Sequence, residues 1–257
     1  NAKLPVVDGS QLTNLPAGGA TDIDGLSDGH YNATSESVGL GTGALASENV
    51  TAARYNVAVG KDALTSNTTG HSNTASGYRA LMDSTTGYRN TASGYEALHS
   101  NTTAGGNTAT GFRALYLNTT GYDNTAVGSY TLYSNTTGYG HAATGHQALY
   151  SNTTGIANTA TGRYALKLNT TGTMNTAFGD SALADSTTGH YNTATGSGAL
   201  ANLTTANGNT ATGSGALYKN TTGTGNTATG RSALYNNTTG NENIATGSSV
   251  LWYNTTG

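Results

Sequence analysis

The sequence predicts an all-β fold, a parallel β-solenoid of 17-residue coils, on three observations. A unit N-T-A-x-G-x-x-A-L-x-x-N-T-T-G-x-x runs head to tail twelve times from Asn56. Its leucine returns at strict 17-residue intervals, from Leu64, Leu81 and Leu98 to Leu217, Leu234 and Leu251. Each unit is rich in glycine, β-branched and turn-forming residues, which oppose helix. A fixed short period is the signature of a stacked, quasi-one-dimensional architecture. Helical hairpin repeats need more than about 30 residues, so this unit is too short for one.

Within the unit, N-T-A-x-G and A-L-x-x-N read as two short strands, and the glycine and N-T-T-G punctuate them. Asn and Gly tolerate positive φ, so N-T-T-G can turn a coil corner. The Ala of N-T-A (Ala58 to Ala245), the following Gly (Gly60 to Gly247) and the Thr pair (Thr68 and Thr69 in the first copy) never change. The Ala before Leu lapses to Thr131 and Val250, the leading Asn to His141, and the later Asn to Ser84, Ser186 and Leu203. The two places after Gly, the two after Leu and the last two vary freely. Coils stacked at about 4.8 Å would give a rod of roughly 55 Å.

Residues 1–36 read as an extended collar or connector, 37–55 as a degenerate capping coil and 56–257 as the repeat array. Leu45 lies 19 residues before Leu64, so two residues are inserted there. A coil offers one Leu and two Ala as core, about 3–4 kcal/mol of burial, against roughly 20–25 kcal/mol to order it. That imbalance leads to an expected homo-oligomer in which the Leu columns of several chains pack together.

Net charge is −3 and only 9% of residues are charged, so no nucleic-acid footprint is visible. There are no cysteines, and no apolar run reaches membrane-spanning length. Nothing in the pattern calls for a cofactor or metal. Asp22, Asp24 and Asp28 lack the spacing of a calcium loop and read as a solvated turn. The six histidines are scattered without recurring carboxylates, and no carboxylate pair recurs, so the chain reads as non-enzymatic.

The stretch K-L-P-V-V-D-G-S-Q-L-T-N-L-P at 3–16, followed by T-D-I-D-G-L-S-D-G, resembles collar segments of tailed-bacteriophage tail fibres. The N-T-A-x-G-x-x-A-L arrays resemble repeats of such fibres and are similar to the head repeats of trimeric autotransporter adhesins. The resemblance implies a homotrimeric structural shaft in the virion, supporting host attachment. Its implied partners are itself, other tail-fibre or baseplate proteins and a host surface glycan, with no nucleic acid and no membrane insertion. The alternative is an extracellular or cell-surface adhesin, or a secreted filament, whose rod binds carbohydrate.

Three surfaces are candidates for binding. Tyr116, Tyr133 and Tyr150, and likewise Tyr218, Tyr235 and Trp252, share one place in consecutive coils. They are expected either as a coplanar carbohydrate platform or as a stabilising ladder. Asn67, Asn101, Asn118, Asn135, Asn152, Asn169, Asn220, Asn237 and Asn254 begin N-T-T triplets, which match a glycosylation acceptor but also suit turns. The Thr pairs suggest an ice-binding array, yet alternation along a strand points only one Thr of each pair outward.

Overall fold

The structure is a computed structural model, and it describes residues 29–49 and 51–257. The collar stretch 3–16, with Asp22, Asp24 and Asp28, lies outside the described residues. Fourteen strands form one sheet in sequential order, and no helix occurs among the described residues. β1 (Gly29–Asn32) pairs antiparallel with β2 (Ser37–Leu40). Every later pair is parallel, from β3 (Val57–Val59) to β14 (Ile244–Thr246), with a register of one unit per strand. The chain is a parallel β-solenoid with one 17-residue unit per coil.

Each coil holds one strand, not two. The expected strand at A-L-x-x-N is a turn. All twelve repeat leucines have φ between 50 and 53°. A left-handed conformation costs a non-glycine residue about 1–2 kcal/mol. Burial of the leucine, worth about 2 kcal/mol, offsets that cost. Two tight bonds close the turn: Ala148 N–H donates to Gly145 C=O at 3.3 Å, and Asn152 N–H to Leu149 C=O at 3.1 Å. The turn still binds its neighbour, since Leu149 N–H donates to Ala165 C=O at 3.0 Å.

The core runs along the axis of the rod. Leu64 to Leu234, with the strand Ala and the Ala before Leu, are 0–1% exposed within one chain. This overturns the reasoning that leucines of several chains must share a core: each coil closes over its own. The leucine and alanines are only part of the filling. Both Asn columns point inward as well, Asn56, Asn73 and Asn90 on one side and Asn101, Asn118 and Asn135 on the other.

Residues 29–36, expected as connector, contribute a strand and a turn. Asn32 Oδ1 accepts the N–H groups of Thr34 (2.9 Å) and Ser35 (3.0 Å), which folds β1 back over β2. The hairpin covers the backbone edge that the first coil would otherwise present. Leu45 (φ 54°) joins the Leu column, and its N–H donates to Ala63 C=O at 3.1 Å. The two inserted residues fall between Asn49, which pairs with Thr68, and Arg54, which pairs with Ser35.

Candidate functional surfaces

The Asn columns form ladders that run the length of the rod. In the strand-side column, Asn175 N–H and Nδ2 donate to Asn158 Oδ1 (2.9 and 3.1 Å), and Nδ2 also donates to Gly189 C=O (2.7 Å). In the turn-side column, Asn135 Nδ2 donates to Asn118 Oδ1 (2.8 Å) and to Gly138 C=O (2.9 Å). Asn67, Asn101, Asn118, Asn135, Asn152, Asn169, Asn220 and Asn237 are all 0% exposed. Asn254, in the last coil, is partly exposed and donates to Asn237 Oδ1 at 3.2 Å. Their amides are consumed by the core, and the buried positions leave no room for a sugar on Nδ2.

Ladder breaks leave measurable faults. Each turn-side Oδ1 accepts from the Asn one coil later. Where that residue is Ser84 or Ser186, Asn67 Oδ1 and Asn169 Oδ1 have no partner, nor do the two serine hydroxyls. An unpaired buried polar atom costs about 1–3 kcal/mol. Ser84→Asn combined with Ser186→Asn is therefore expected to raise stability by about 2 kcal/mol or more in a urea titration. An unchanged midpoint would refute the ladder account.

His141 replaces Asn in the strand-side ladder. Its buried ring places Nε2 2.7 Å from Gly155 C=O, while Nδ1 accepts Asn158 N–H at 3.2 Å. These partners assign the neutral Nε2–H tautomer. Burial lowers its pKa from 6.5 to about 4. Above pH 6.5 the ring is neutral in both folded and unfolded chains, and its contribution is fully present. Between pH 6.5 and about 4 the unfolded chain binds the proton and the folded one resists it, so stability falls, by about 3 kcal/mol in total. His141→Asn restores the ladder and should remove this slope; urea midpoints at pH 7 and pH 4 measure it.

The tyrosines stack face to face. Tyr116 and Tyr133 have centroids 5.3 Å apart with planes 4° apart, and Tyr133 and Tyr150 are 5.2 Å and 5° apart. Tyr218, Tyr235 and Trp252 repeat the pattern at 5.2 and 4.4 Å. The rings are therefore not a coplanar platform. Tyr133 and Tyr235 spend both faces on neighbouring rings and turn only an edge to solvent, which is the geometry of a stabilising ladder. Sequence reasoning missed two further aromatic columns, Tyr78–Tyr95–Phe112 (5.0 and 5.2 Å) and Tyr122–Tyr139 (4.6 Å). Arg113 links two columns: its guanidinium lies 5.3 Å from the Phe112 ring and 5.2 Å from Tyr116, and it pairs with buried Glu96 at 2.8 Å.

The threonines divide into two sets. In every Thr pair but the last the first hydroxyl donates to the backbone of the next coil, as in Thr119 to Thr136 C=O (3.0 Å) and Thr136 to Thr153 C=O (3.1 Å). Those hydroxyls are structural. The strand threonines flank the buried Ala and face outward on both sides, as in Thr210-Ala211-Thr212. The pairing Thr193↔Thr210↔Thr227 and Thr195↔Thr212↔Thr229 puts them in straight columns. The sequence carried this signal as T-A-T, behind the more conspicuous T-T.

Among the described residues no cluster of three metal-ligating side chains occurs, and no helix is long and apolar enough to cross a membrane. No protein-family model, curated protein or solved structure matches the chain.

Proposed function

We propose that this chain is the structural shaft of a bacteriophage tail fibre, a non-enzymatic spacer in the virion that supports host attachment. The observation that carries the reading is the unbroken stack of twelve equal coils, each with its invariant positions consumed by folding. Such a rod sets a distance and a direction, and little else. The collar-like stretch at 3–16 adds the resemblance to tail fibres.

In this reading three copies assemble, and tail-fibre or baseplate proteins hold them. Because each chain closes its own core, the copies would pack by their outer faces. Light scattering of the chain at micromolar concentration tests the assembly: three copies are expected, and a monomer refutes this part. Immunogold electron microscopy tests the location. Gold along the fibres of virions is expected. Gold on the bacterial surface, with bare virions, would overturn the shaft reading in favour of an adhesin or secreted filament.

A further inference from the structure

We propose that the sheet face of the rod binds ice, through the lattice of strand threonines centred on Thr193, Thr195, Thr210, Thr212, Thr227 and Thr229. This goes beyond the shaft reading and does not depend on it. The twelve repeat strands each turn two side chains outward, one on either side of the buried Ala. Thr fills nine of the positions before the Ala and seven of those after it. The others are Ser76, Ser93, Val57, Val59, Val127, Ala142, Phe178 and Ile244. None is charged, although other outer columns carry Arg79, Asp83, Arg163 and Asp180.

Outward strand positions favour threonine by propensity alone, but propensity does not decide what the hydroxyls do. In the turn column, hydroxyl after hydroxyl donates to the neighbouring coil. No strand threonine hydroxyl makes a hydrogen bond within the protein among those described, so each is free for water. Their spacing is regular in two directions: about 4.8 Å from coil to coil and about 6.7 Å along the strand. In the Tyr116 and Tyr218 columns stacked rings differ by only 3–5° from coil to coil, against 10–19° in the other face-to-face pairs. Twist would ruin the match to a planar crystal surface.

These are the requirements of an ice-adsorbing surface. An ice face presents oxygens on a rectangular lattice of similar repeat. Hydroxyls can take places in that lattice while the neighbouring methyls sit between them. A charged side chain would orient water around itself and break the pattern, which accounts for the absence of charge. Each contact is weak, but a rigid array engages many together without further ordering cost. Phe178 (59% exposed) and Ile244 (75% exposed) bound the best patch.

The test uses the 257-residue chain in dilute buffer with slowly growing ice. The wild type is expected to enrich in the ice fraction and to facet ice crystals. Thr212→Lys, at the centre of the patch, should fall to the level of a non-binding control protein. Thr222→Lys, on the exposed second threonine of a turn, should retain full partition. Should Thr212→Lys lose its cooperative melt, Thr212→Val supplies the comparison: it keeps the shape, loses the hydroxyl and should partition less. Phe178→Thr should partition more. A folded wild type that stays in the liquid, or Thr212 variants that partition like it, would overturn the proposal. So would light scattering in which Thr212→Lys dissociates an oligomer, because the face would then be a contact between copies.

Discussion

Gly111→Ala is expected to destabilise the rod by about 4 kcal/mol and to split its unfolding into two steps. Gly111 has φ +138°, a region that side chains rarely enter. An added Cβ would lie 2.5 Å from Gly128 O and 2.7 Å from Gly128 C. That neighbour is backbone, tied to the coil of Gly111 itself by the bond from Gly128 N–H to Thr110 C=O at 2.8 Å, so it cannot swing aside. Backbone strain of this kind costs about 1–3 kcal/mol, and the clash adds to it. Coils contact only their neighbours, so a fault weakens one interface and leaves the blocks on either side intact. Gly208→Ala is the control. Gly208 has φ +69° with nothing within 4 Å of an added Cβ, and Ala157, Met174 and Tyr191 already occupy its column at φ 53–58°. Its cost should be about 1 kcal/mol. Thermal melts and amide exchange of both variants measure the contrast. Equal effects would show that the invariant glycines are not there to let coils approach.

Much of this architecture was legible because the period is strict. A 17-residue identity period fixes which residues stack, and the alternation around each Ala fixes which point in. The leucine turn was not legible. Leu has no preference for left-handed backbone, so nothing local marks Leu149 as a turn residue; closure of the coil imposes that φ. The asparagines misled for a related reason. Asn is a strong turn former, and that property hid its role as a buried ladder. A signal was present: a merely exposed turn position would have varied more freely than to Ser84, Ser186 and Leu203. The threonine lattice was masked by its neighbour. T-T is constant and catches the eye, whereas the residue after the strand Ala alternates among Thr, Ser, Val and Phe, which obscures the column. Stacking geometry was the hardest to foresee. Tyrosines in register suggest a surface, and only the ring planes reveal that the faces are used up.

The second large effect is expected from Leu149→Asp. Leu149 is fully buried between Leu132 and Leu166 in the stacked column. Truncating a buried leucine costs about 2–5 kcal/mol. A carboxylate in its place would sit in the buried Leu and Ala cluster, so desolvation adds several kcal/mol at neutral pH. The turn that holds Leu149 also abuts His141: Asn152 N–H donates to Leu149 C=O, and Asn152 Nδ2 lies 3.1 Å from His141 Nε2. Loss of the coil should therefore spread to Asn152 and Asn135 and break the rod at its middle. The consequence has a pH signature. Burial raises the carboxyl pKa in the folded state, so the penalty is greatest above the raised value. It is relieved as pH falls and the group protonates. His141 has the opposite slope, so the experiment belongs in a His141→Asn background. There, Leu149→Asp should recover part of its stability between pH 7 and pH 4, while Tyr150→Ser, which removes one half-buried ring from a ladder, should cost about 1 kcal/mol at both. If instead the two variants proved equally mild, the leucine column would not be the core of a single chain. Damage to Leu149→Asp that appeared only as lost self-association, with the monomer's melt unchanged, would return the column to an interface between chains.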